Sequence, residues 1–311
     1  MATQTNQTPK PQTNQTPKPQ TPVVMIKGTT SAGRFNNVEI PLTRFTILTG
    51  EPRSGKTLVL HCVRMHSAPF NSRKFGTYPD CTVSHARQYY AFYDIYDFDE
   101  QELDVDRLHE AVDVYVRVYE ILKYTAEQNG LHFDVPVMPQ LVYRADLPVK
   151  WYLSWKDPMT RWYLSHELAD YAKHIMYAYA ARTSGTPRYT LIEYRAIGPI
   201  TDLLLGYYAA HLVKRSTLFN AVVATNSIDF IRGVIAAGVD STAVYYMYRR
   251  RVDDKYMLEL NNVEIHVASI DLADITPSRN VEIRTAKIDL AYMTPSHNDA
   301  MTLSLLLRAG N

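Results

Sequence analysis

The sequence predicts an α/β protein with a mostly parallel sheet flanked by helices. An antiparallel β subsheet, an inserted helical lobe and a C-terminal β repeat complete the expected architecture. Two observations carry that expectation. Short β-branched runs alternate with apolar segments of helical period between residues 187 and 237, the pattern of parallel strands covered on both faces. The run ending at Gly50 passes through a tight glycine-containing turn directly into another helical segment, so strand, turn and helix follow one another without a spacer. With 311 residues, 46% of them hydrophobic, the chain is long enough to bury one large core, or one core and a small lobe.

In chain order, residues 1–22 form a Thr/Gln/Pro tail in which QTNQTPKP at 4–11 is repeated unchanged at 12–19, a composition that buries nothing. VVMIKG, NNVEIPL and FTILTG then read as strands separated by polar turns. TLVLHCVRMHSA after the turn has helical spacing, and from about 100 to 130 Leu108, Val112, Tyr115, Tyr119 and Leu122 make one helix stripe that stops at Gly130. Residues 131–160, with four prolines, read as an irregular connector, and 163–182 as a helix. Strand Tyr189–Glu193, helix 199–214, strand Phe219–Thr225 and helix Ile228–Ala237 follow, then the β runs TAVYYMYRR and KYMLEL. Residues 262–279 and 280–297 are two tandem copies of an 18-residue repeat. Two copies are too few to stand alone, so the repeat either extends the sheet edge or presents a surface to a protein partner. The expected units are thus the tail 1–22, a domain 23–260 with its helical lobe at about 84–182, and an extension 261–311.

Composition narrows the function. Lys+Arg 33 against Asp+Glu 32 leaves a net charge of +1, which creates no field for nucleic acid or an anionic membrane. Arg249-Arg250-Arg251 then reads first as a solvated strand end and second as a nucleic-acid contact, so nucleic acid stays open but is not indicated. Cys62 and Cys81 lie apart without CxxC spacing, so neither a zinc site nor a disulfide framework is suggested; a reducing, cytoplasmic location is the expectation. No run reaches the roughly 18 to 20 apolar residues of a membrane span. The 23 tyrosines read mainly as amphipathic packing residues.

The chemistry lies in Gly50-Glu51-Pro52-Arg53-Ser54-Gly55-Lys56-Thr57, which has the spacing GxxxxGK[ST]. Its glycines let successive backbone N–H groups turn toward phosphates, and the following helix adds its N-terminal dipole. Lys56 is placed to contact β/γ oxygens and Thr57 to hold Mg²⁺ through its hydroxyl. The acidic partner such a loop needs is Glu193, at the end of the apolar strand YTLIE. Asp94, Asp97 and Asp99 read as a solvated acidic surface. Asn226, after the strand FNAVVAT, is placed to sense a γ-phosphate, while Ser227 also suits a helix N-cap.

FNNVEIPLTRFTILTGEPRSGKT, YLSHELADYAKHIMYAYAA, YTLIEYRAIGP and AVVATNSIDFI occur in that order. Together they resemble the P-loop ATPases of the ABC/SMC-like branch, in particular stand-alone prokaryotic AAA-type ATP-binding proteins, over about residues 33–260. The resemblance implies ATP and Mg²⁺ as cofactors, Lys56 and Glu193 as catalytic residues, and Thr57 with Glu193 as metal ligands. It also implies a homodimer in the nucleotide-bound state, in which Ser165 of the signature-like Leu164-Ser165-His166-Glu167 reaches the ATP of a second copy. Three departures accompany it: the signature lacks its glycines, Asn226 stands where histidine is usual, and Tyr194 stands where a second acid is usual. Tyrosine, with an ordinary pKa of about 10, is a poor general base. Two functions stay open: an ATPase that dimerises around ATP and couples binding and hydrolysis to a conformational switch, or a nucleotide-responsive scaffold with little hydrolysis. A small-molecule kinase is disfavoured, since Arg182 and Arg188 are isolated rather than part of an arginine-rich lid. Gln88 is the nearest match to the family's lobe-linking glutamine.

Overall fold

The computed structural model describes residues 21–30, 32–65, 80–84, 89–98, 103–128, 138–143, 151–156, 162–182, 185–251 and 263–270. The tail 1–20, Gln88, Asp99, the run 255–260 and the second copy of the repeat lie outside the described residues.

Three strands, β1 (Val23–Thr30), β2 (Gly33–Pro41) and β3 (Phe45–Gly50), lead into helix α1 (Lys56–Met65). Short strands β4 (Asp80–Val83) and β5 (Ala91–Asp94) precede the long helix α2 (Val105–Gln128). Strands β6 (Met138–Tyr143) and β7 (Trp151–Lys156) are followed by helix α3 (Trp162–Ala180). The regular alternation then begins: β8 (Arg188–Tyr194), α4 (Pro199–Arg215), β9 (Phe219–Thr225), α5 (Ile228–Ala237), β10 (Thr242–Arg251) and β11 (Val263–Ile270).

Nine strands form one sheet in the order β4-β1-β2-β11-β10-β3-β9-β8-β5. It is mixed: β10, β3, β9, β8 and β5 run parallel, whereas β1 pairs antiparallel with β2 and β4, and β10 antiparallel with β11. Every residue of β9 is buried, as a strand covered on both faces must be. On one face Phe219, Ala221 and Val223 of β9, with Ile192 and Tyr194 of β8, pack against the helices α2, α3, α4 and α5. On the other face Val222, Ala224 and Leu191 pack against α1 and the β1–β2 pair. α4 and α5 cross so closely that a Cβ on Gly206 would stand 2.0 Å from the carbonyl oxygen of Phe230.

The α2 stripe is as expected: Leu108, Val112, Tyr115 and Leu122 are buried and Tyr119 packs at its margin. Four expectations are corrected. Residues 138–143 and 151–156, expected in an irregular connector, pair as an antiparallel β6–β7. Pro139 and the aromatics are compatible with a small two-stranded unit because it is all edge. β11, from the first copy of the repeat, does not extend the sheet edge; it lies between β2 and β10. Cys62 and Cys81 form a disulfide with their Cα atoms 5.9 Å apart, because β4 adds to the edge of β1 beside α1. The cysteine spacing therefore gives no ground for a reducing compartment. Asp94, expected on a solvated surface, is half-buried and pairs with Arg64 of α1 at 3.2 Å, and burial pushes its carboxyl up; Asp97 also meets Arg64 at 3.2 Å but stays exposed, as expected. Among the described residues, no helix is long and apolar enough to cross a membrane.

Candidate functional site

Most of the site follows from where β3, β8 and β9 end. Parallel strands release their following segments on the same side of the sheet, and ligands bind in the crevice there. β3 ends at Gly50, whose φ of 125° and close approach to Met247 of β10, where a Cβ would lie 2.1 Å from the carbonyl oxygen, require glycine. Glu51 donates its N–H to that same Met247 oxygen at 3.0 Å, and its carboxylate accepts the N–H of Arg249 at 3.1 Å. Arg53 takes a left-handed conformation, φ 61°, and is exposed, while Ser54 beneath it is fully buried. The loop then feeds α1, whose first turn has N–H groups without helical partners, directed at the crevice.

Lys56 folds back over the loop. Its Nζ donates to the carbonyl oxygens of Gly50 at 2.9 Å and Glu51 at 2.6 Å, and to Ser54 Oγ at 3.4 Å. Burial pulls its pKa below the ordinary lysine value, with the Glu51 charge acting the other way. The ammonium is thus held by carbonyl dipoles and, among the described residues, lacks a full counter-charge at contact distance, the condition in which a phosphate is a better partner.

Thr57 Oγ1 donates to Glu193 Oε1 at 2.7 Å, across 136 positions of sequence. The two meet because alternation along β8 puts Glu193 on the same sheet face as Leu191, the face that α1 covers. Glu193 is exposed and makes no ion pair among the described residues.

Tyr194 points the other way. It is 3% exposed and its hydroxyl donates to Asp202 Oδ1 at 2.6 Å. Asp202, 2% exposed in the first turn of α4, also accepts the N–H groups of Ile197 and Gly198, and through Oδ2 the hydroxyl of Ser227 at 2.5 Å. Ser227 in turn caps α5 by accepting the N–H of Phe230. One carboxylate therefore ties together the segment after β8 and the segment after β9. Burial, followed by the Asp202 charge, pushes the Tyr194 phenol far above its ordinary value, so it stays protonated. Tyr171 of α3 adds a further tie, donating to the Glu193 carbonyl oxygen at 3.0 Å and accepting the N–H of Arg195.

These residues enclose an open cavity of about 1050 Å³ whose lining includes Pro52 to Thr57, Glu193 and Asn226. Of the residues expected from the sequence, Lys56, Thr57, Glu193 and Asn226 converge there. Gly50 and Glu51 form the base of the loop rather than the wall. Ser165 lies in the first turns of α3. Among the wall residues not foreseen are Thr30, Ala32, His61 and Arg195. His61 had a signal, standing one helical turn after Thr57; Thr30 and Ala32 had none, because the β1–β2 turn reaches the loop only through the curl of the sheet.

No protein-family model matches the chain and no curated protein matches it. Among solved structures, it is similar to an SMC head bound to the C-terminal winged-helix domain of ScpA. That match has a TM-score of 0.40 and 12% identity, over 81% of this chain and 98% of that one. It is also similar to UvrA2 from Deinococcus radiodurans, with a TM-score of 0.30 and 13% identity, over 75% of this chain and 37% of that one. Overlaps this loose add no weight to the site, which stands on its own geometry.

Proposed function

We propose that the chain binds ATP with Mg²⁺ in this cavity and turns it over slowly, using the nucleotide as a switch for association of two copies. The observation that carries the proposal is the contact of Thr57 with Glu193, which joins a phosphate-type loop to the only carboxylate in the described wall of the cavity.

A hydroxyl and a carboxylate already 2.7 Å apart are hard oxygen donors of the kind Mg²⁺ takes one or two at a time, the rest coming from phosphate and water. Thr57 and Glu193 would hold the ion. Bound there, Mg²⁺ would offset charge on the β- and γ-phosphates. The protein's own groups do the positioning. Loop N–H groups and the α1 terminus receive the phosphates, and Lys56 exchanges its carbonyl partners for phosphate oxygens. Asn226, exposed at the end of β9, orients the terminal phosphate or the attacking water.

Water activation falls to Glu193, because Tyr194 is buried, protonated and engaged with Asp202. A single carboxylate serving both the ion and the water supports slow hydrolysis. The same observation supports the second reading, a nucleotide-responsive scaffold without turnover. For the dimer, exposed Arg53, Arg195 and Asn226 leave the cavity open to a second copy, with Ser165 as the residue proposed to reach across.

Steady-state ATP hydrolysis by the full chain across protein concentrations, beside Lys56→Ala, tests this. The expected result is a slow Mg²⁺-dependent rate that rises faster than linearly with concentration, and a loss of about 100-fold in ATP affinity in the variant, as for a charge-assisted contact worth roughly 2–3 kcal/mol. Saturable binding without hydrolysis selects the scaffold. Binding that survives Lys56→Ala unchanged removes the site.

A further inference from the structure

The end of the sheet opposite the phosphate loop carries a second cleft. A seven-residue strand, β8, separates the two by roughly 20 Å at about 3.3 Å per residue. The cleft, of about 650 Å³, opens between the start of α2, the end of α3 and the turn from α4 into β9. Its walls are fixed: Asp104 donates its N–H to the Ala180 carbonyl oxygen at 2.8 Å, and Leu103 bridges Ala181.

Its charge is unbalanced. Arg107, Arg182 and Arg215 line it, with Asp104 and Glu110 as the acids. Both acids are engaged. Asp104 Oδ1 accepts the N–H groups of Asp106 and Arg107 at the start of α2. Glu110 accepts the Tyr179 hydroxyl at 2.7 Å and pairs with Arg215 at 3.3 Å. Arg107 lies over the Tyr179 ring at 4.7 Å and donates to Ser216 Oγ at 3.1 Å, which fixes its fork without neutralising it. Arg182 is exposed and its side chain has no ion pair among the described residues.

Two more guanidinium groups stand behind the wall. Arg188, 6% exposed, donates to the Arg182 carbonyl oxygen and lies against the Tyr93 and Phe98 rings, with no carboxylate partner among the described residues. Arg44 donates to the carbonyl oxygens of Val213 and Ser216, while its Nε is buried without a partner among the described residues. Basic groups are expected beside a helix C-terminus, and α4 ends here. Arg44 already covers those carbonyls, however, and Lys214 is turned to the Ala237 oxygen of α5. Arg107 and Arg182 are therefore surplus to the helix end.

We propose that this cleft is an anion site for a phosphate group, held by Arg107 and Arg182 with the Ser216 and Thr217 hydroxyls beside them. A phosphate offers enough acceptor oxygens for two guanidinium forks and a hydroxyl together, which a carboxylate does not. The proposal does not depend on the nucleotide site and is tested with that site weakened. Full-length Lys56→Ala protein is titrated calorimetrically at low ionic strength with inorganic pyrophosphate and, separately, with a phosphoserine tripeptide. One saturable site is expected, weakened about tenfold or more by Arg182→Gln, as for loss of one charge-assisted contact. Lys27→Gln, which removes a charge from exposed β1, should leave it unchanged. Arg182→Gln touches only an exposed side chain, so its thermal unfolding should match the parent. Tighter binding of the tripeptide supports the site with a modified partner side chain as the source; tighter binding of pyrophosphate supports it with a free ligand. No saturable binding of either probe, or equal losses in Arg182→Gln and Lys27→Gln, overturns it.

Discussion

Glu193 and Tyr194 are consecutive residues at the end of one strand, yet they belong to regions with opposite properties. The front of the site, Lys56, Thr57, Glu193 and Asn226, is partly or fully exposed, and its polar groups make substitute contacts such as an ammonium on carbonyl oxygens. The back, Tyr194, Asp202 and Ser227, is buried, and each polar side chain has its partner. A group that waits for a ligand has to remain unsatisfied by the protein, whereas a buried one has to be satisfied by it. The two regions should therefore answer differently to substitution: the front in binding, the back in stability.

The largest expected effect is in the back. Asp202→Ala strands two hydroxyls and two N–H groups, and should lower unfolding free energy in urea by about 3 kcal/mol. A loss under about 1 kcal/mol would mean that Asp202 does not hold the segments after β8 and β9 together. The next is in the front. Glu193→Gln keeps size and exposure, so stability should move by less than about 0.5 kcal/mol, while the Mg²⁺-dependent part of ATP affinity falls about tenfold. Equal affinity with and without Mg²⁺ in the parent protein would dissolve the distinction at its source. The smallest sharpens the boundary between the two. Tyr194→Phe removes one of the donors to Asp202 and should cost about 1 kcal/mol of stability, with ATP turnover unchanged. Abolished turnover at unchanged stability would move Tyr194 to the front and reverse its proposed role.

The loop 50–57 was legible because its requirements are local: glycines at fixed offsets, a lysine and a hydroxyl, a strand before and a helix after. Glu193 was legible for a similar reason, as a carboxylate ending an apolar run. Strand Phe219–Thr225 and helix Ile228–Ala237 matched residue for residue, since a strand buried on both faces and a helix with a Ser cap and a Gly stop carry their own boundaries. Asp202 was not legible. An aspartate in the first turn of a helix is ordinary at the surface, and nothing in Pro199-Ile200-Thr201-Asp202 shows that this one is buried under two other segments. Nor did isolated Arg182 and Arg188 suggest a cleft, because their companions Arg44, Arg107 and Arg215 come from three other places in the chain.

By itself the sequence determined which segments become strands and helices around residues 187–251 and which loop has the spacing for phosphates, because both are set by periodicity and backbone rules acting over a few residues. Alternation even required Glu193 and Tyr194 to face opposite sides of the sheet. Only the tertiary structure decided which side is which. α1 covers the face of Glu193 and α4 the face of Tyr194. It likewise decided that β11 lies inside the sheet and that Cys81 reaches Cys62. Strand order and helix placement are long-range packing outcomes, fixed by what the whole core can bury, and no window of the sequence contains them.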